Sequence, residues 1–74
     1  MKYTQGSRVR ISSRERIEEV LRTGRYRRKV EEQQFAFAGQ VATVKWSGLY
    51  DGGGFVYQLA GVPGLWHEQL LESA

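Results

Sequence analysis

The one histidine of the chain, His67, is followed by Glu68 and, four positions on, by Leu71. A zinc-peptidase helix needs two histidines four apart, with a glutamate between them as general base. Here leucine stands where the second histidine would, and there is no cysteine, so an ordinary zinc site, a disulfide framework and thiol chemistry are all excluded. The run Asp51-Gly52-Gly53-Gly54 is the other stretch whose composition invites chemistry. A phosphate loop requires Lys-Ser/Thr after its glycines, at the start of a helix. Phe55-Val56-Tyr57 follows instead, which is strand-like. The spacing of a dinucleotide fingerprint is absent, and Asp51 alone cannot supply the several oxygens a calcium ion needs. Asp-Gly is, however, a strong hairpin signal. Ser7, Ser12, Ser13, Ser47 and Ser73 share one possible base, and none lies in a glycine elbow. The sequence therefore calls for no catalytic residue, no metal and no cofactor, and it is expected not to be an enzyme.

Binding is the remaining class of function. Residues 1–32 hold ten Lys/Arg against five Glu, a net of +5, while the remainder holds one Lys against three acids, a net of −2. Such asymmetry suits an anionic partner. Arg25, Arg27, Arg28 and Lys29, with Arg22 and Arg14 nearby, could contact phosphates, and Tyr26 among them could stack on a base. The competing reading is protein recognition, with Trp46, Tyr50, Asp51 and Tyr26 as candidate anchors, because Trp and Tyr dominate interface hot spots. Filling of the core or its rim by Trp46 and Tyr57 is the bland alternative.

These residues need elements to hold them. In "SRVRI", residues 7–11, Val9 and Ile11 alternate with Arg8 and Arg10, a half-buried strand. Ser12 with Glu15 fits a capping box, Ile17, Val20 and Leu21 form an apolar stripe, and Gly24 suits a left-handed C-cap, so a helix is expected over about residues 13–23 with Glu18 paired to Arg22. Residues 25–34 show no period and read as a loop or irregular strand anchored by Tyr26 and Val30. Residues 35–46 read as a strand bent at Gly39, with Ala42, Val44 and Trp46 on one face. Ser47–Gly54 reads as a connection to a strand over Phe55–Leu59. Pro63-Gly64 then suits a type II turn, followed by Trp66, Leu70 and Leu71 as anchors, with His67 and Glu68 at the surface.

Gly6–Ile11, Ile17–Gly24, Phe35–Val44, Tyr57–Gly61 and Trp66–Glu72 together resemble small stand-alone SH3-like barrels of bacterial and phage type. The resemblance implies a mainly β fold: a small SH3-like barrel of four to five antiparallel strands, with one short helix inserted after the first strand. Residues 1–74 then form a single domain. It also implies a binding module that recognises a protein partner through exposed loops, and phage-related relatives would allow a role against a host protein or in assembly. The chain departs from peptide-binding SH3 domains in lacking paired tryptophans and an acidic–aromatic first loop, which argues against proline-rich ligands. Nucleic-acid binding through Arg14 and Arg22–Lys29 is the alternative, and an apolar edge at residues 35–38 would allow a homodimer. No signal-peptide-length apolar run or membrane span occurs, so a cytoplasmic protein without membrane partners is expected.

Overall fold

The computed structural model describes residues 2–24 and 29–74. Five antiparallel strands form one sheet: β1 (Arg8–Ile11), β2 (Val41–Leu49), β3 (Phe55–Leu59), β4 (Trp66–His67) and β5 (Leu71–Ser73). Their order is β4-β3-β2-β1-β5. The long β2 is the shared member: its first part pairs with β1 in the register Arg8↔Thr43 to Arg10↔Val41, while Val44 to Leu49 pairs with β3. A one-turn 3-10 helix, Glu68–Leu70, joins β4 to β5.

The chain between β1 and β2 carries helix α1 (Arg14–Thr23) and a four-residue helix α2 (Glu32–Phe35). The expected helix after the first strand is present, with its start one residue later than the capping-box reading placed it. Ser13, not Ser12, is the N-cap, and its side chain accepts from the Arg16 N–H at 3.2 Å. Gly24 closes the helix in an extended conformation rather than a left-handed one. Glu18 pairs back to Arg14 instead of forward to Arg22.

Residues 35–46 do not form one strand. Phe35 ends α2, the chain turns through Gly39 at φ 83°, and the strand starts at Val41. The reason lies upstream, in Gln34. Its buried amide accepts from Glu31 N–H at 3.0 Å and donates to the Leu65 carbonyl at 3.1 Å, which fixes a helical turn where pattern alone suggested extension. Phe35, Phe37 and Ala38 consequently pack half-buried against the core, so residues 35–38 form a helix end and turn rather than the strand edge expected there.

The core forms from the inward positions of the sheet and the apolar stripe of α1. Val9, Ile11, Val44, Tyr57, Leu59, Trp66, Leu70, Ile17 and Val20 are all buried. Trp66, Leu70 and Leu71 are anchors as expected, and Gly64 takes its positive φ of 81°. Tyr3 straps the amino-terminal segment across this core. Its hydroxyl donates to the Leu71 carbonyl at 3.2 Å, and its N–H donates to the Tyr57 hydroxyl at 3.1 Å. Burial pushes the Tyr3 phenol above its ordinary value of 10.0, and the nearby Tyr57, Glu68 and Glu72 add to the rise.

Candidate functional site

At Val44 the sheet changes character. The pairing of β2 with β3 shifts between Val44↔Leu59 and Trp46↔Gln58, leaving Lys45 as an extra residue, a β-bulge. Inward alternation through Ala42 and Val44 should bring Trp46 into the core; the extra residue turns it out, beside exposed Lys45 and opposite exposed Gln58. Trp46 is 49% exposed and Leu49 81%, the exposed large hydrophobics among the described residues. Tyr57 therefore fills the core, whereas Trp46 stays half-exposed outside it.

Trp46 is nevertheless held. Its ring lies over the backbone at Gly48, where a Cβ would collide with ring carbon Cη2. Only a glycine leaves that seat open. With Leu49, Tyr50, Asp51 and Leu65, Trp46 lines a groove of about 250 Å³ that also touches buried Val56. Three of the four candidate partner-binding residues, Trp46, Tyr50 and Asp51, thus come together at one end of the sheet. The fourth, Tyr26, lies outside the described residues.

The hairpin tip beside this groove is tied down from below. β2 runs to Leu49, so the connection is shorter than Ser47–Gly54 and turns at Tyr50–Gly54, where Tyr50 N–H donates to the Gly54 carbonyl at 3.1 Å. Gly53 and Gly54 have φ of 105° and 81°, values that favour glycine. His67 and Glu68 are not surface residues of a turn; they grip this loop. His67 is buried, its Nδ1 accepts from Gln69 N–H at 3.1 Å, and its Nε2 lies 2.8 Å from the Gly53 carbonyl. A lone pair at Nδ1 puts the proton on Nε2, which donates to Gly53. Glu68 Oε1 accepts from Phe55 N–H at 2.8 Å. The Tyr50 ring meets the His67 ring edge-to-face, with centroids 5.4 Å apart and planes at 81°. The histidine and glutamate that invited zinc chemistry thus both bind backbone groups of the loop, and no group of three or more His, Cys, Asp or Glu among the described residues is placed to hold a metal ion.

The basic alternative is not assembled in the same way. Arg14 lies 3.6 Å from Glu18, 3.2 Å from Glu32 and 4.4 Å above the Phe35 ring centroid, so its charge is already matched. Arg22 and Lys29 are exposed without an ion pair among the described residues. Arg25, Arg27 and Arg28 lie outside the described residues.

Pattern reading missed Leu49, Val56 and Leu65 as groove residues. Leu49 carries the one available signal, an apolar residue directly before a turn, but alternation cannot say whether such a residue is covered. Comparison with known protein families, characterised proteins and solved structures returns no match. No helix among the described residues is long and apolar enough to cross a membrane.

Proposed function

We propose that the chain is an SH3-like barrel acting as a non-enzymatic module that binds a protein partner through the groove of Trp46, Leu49, Tyr50 and Asp51. The strand order supports the fold assignment, since β2 is shared between β1 and β5 on one side and β3 and β4 on the other, with a 3-10 turn between the last two strands. The observation that carries the function is the exposure of Trp46 and Leu49 in a chain whose other described large apolar side chains are buried or half-buried. A small domain has little apolar area to spare, and an aromatic seated on a fixed backbone is the kind of anchor that dominates interfaces. A non-enzymatic role is favoured because the sole histidine uses both ring nitrogens within the fold.

Immobilised protein and its Trp46→Ala variant, compared on extract from the source cell, supply the partner for a direct titration with purified components. The groove reading requires that the purified partner bind the parent chain and lose at least about tenfold in affinity on Trp46→Ala, the loss expected of a hot-spot aromatic. Affinity unchanged by Trp46→Ala but abolished by Arg22→Glu with Lys29→Glu, and steeply salt-dependent on nucleic acid, would move the function to the basic segment.

A further inference from the structure

The groove described above has a charge signature of its own. Asp51 is exposed on its wall and makes no ion pair with any described residue. Lys45, though next to Trp46 in sequence, lines a separate depression with Gln58 and the 61–64 turn. The one charged group of the Trp46 groove is therefore a carboxylate, on a chain whose net charge is +3. Long-range potential would repel a cation, but screening confines that field to about 8–10 Å at ordinary salt. Within contact distance the local carboxylate prevails. Trp46 and Tyr50 line the same groove as Asp51, and an aromatic face attracts a cation and accommodates an aliphatic stem.

Size narrows the occupant further. A stable interface between folded domains buries about 800 Å² on each partner. Two exposed apolar side chains around a groove of about 250 Å³ offer room for a few side chains, not for a domain face. Resting on the protein-binding reading above, we propose that the groove takes an extended segment of the partner bearing an arginine or lysine next to an apolar side chain. The cation sits at Asp51, its stem lies across Trp46 and Tyr50, and the apolar neighbour fills the groove toward Leu65.

Two pentapeptides, acetyl-Gly-Leu-Arg-Leu-Gly-amide and its counterpart with Glu for Arg, test this by titration into isotope-labelled protein at roughly millimolar concentration, with the amide signals of Gly48 and Leu49 as readout. The Arg peptide is expected to bind about two- to fivefold tighter, the ratio an exposed ion pair supports. Asp51→Asn should erase the difference and Asp51→Lys should invert it. Equal binding of both peptides to the parent chain and to Asp51→Lys, with both weakened by Trp46→Ala, would overturn the cation preference and leave the groove reading standing. Absence of any peptide-induced shift at the groove overturns the segment proposal outright, while the purified-partner titration with Trp46→Ala judges the groove independently.

Discussion

The two parts of β2 are one continuous strand with opposite uses. From Val41 to Val44 the strand pairs with β1, and its inward side chains, Ala42 and Val44, are buried in the core. From Trp46 to Leu49 the same strand, still paired with β3, exposes its two largest apolar side chains. One inserted residue, Lys45, separates them. Hydrophobicity alone thus does not decide burial; register does, and a single extra residue converts a core position into a surface anchor.

The two tryptophans provide the sharpest test of that contrast. Trp66, fully buried with its Nε1 donating to the Pro63 carbonyl at 3.1 Å, should cost about 3–5 kcal/mol when changed to alanine, enough to unfold much of a domain this small. Trp46→Ala should stay within about 0.5 kcal/mol of the parent, as a surface substitution does. Chemical denaturation of both variants reads the difference; a comparable loss for Trp46→Ala would mean that the exposed half of β2 is structural after all.

Next in size is the grip beneath the groove. His67→Ala removes the donor to Gly53 and the acceptor for Gln69 N–H in a buried site, a loss of about 2–3 kcal/mol. Faster amide exchange at Gly53, Gly54 and Phe55 than at β1 should accompany it, which would show that the hairpin tip loosens before the core does. Uniform acceleration across the sheet would erase the distinction between the two regions.

The smallest effect concerns Tyr3, at the buried end. Its folded-state proton is held more tightly than in the unfolded chain, so the unfolded chain releases its proton first as pH rises. Stability from this group is present in full below pH 10.0 and declines from there through the raised folded value. Tyr3→Phe should remove its share of that alkaline slope at a fixed cost of about 1 kcal/mol from the lost bond to Leu71. Denaturation midpoints between neutral and alkaline pH check both; an unchanged slope in Tyr3→Phe would place the titration elsewhere.

Much of the mainly β plan was legible in residue pattern. Val9 and Ile11, the stripe Ile17, Val20 and Leu21, and the alternation of Tyr57 with Leu59 each follow one local period. What escaped depends on contacts distant in sequence. Gln34 makes a turn because Leu65, 31 residues away, offers it a carbonyl. His67 is buried because Gly53, 14 residues back, needs a donor. The outward turn of Trp46 rests on a one-residue slip against β3 that no composition signals. Of the groove, Trp46, Tyr50 and Asp51 were visible as residue types near a turn; that Val56 and Leu65 complete it was not.

The placement of β1 between β2 and β5 has a kinetic consequence. Val9 pairs with Ala42 on one side and Ser73 on the other, so neither neighbour is close in sequence. Folding dominated by such distant pairings belongs to the slow range, milliseconds to seconds. Until β5 arrives, β1 presents an unpaired edge to any other chain. Arg8 and Arg10, alternating with the two apolar residues and exposed in the finished fold, put a repeating positive charge on that edge. They act as gatekeepers: two copies approaching through β1 repel each other during the interval in which this strand still waits for its partners.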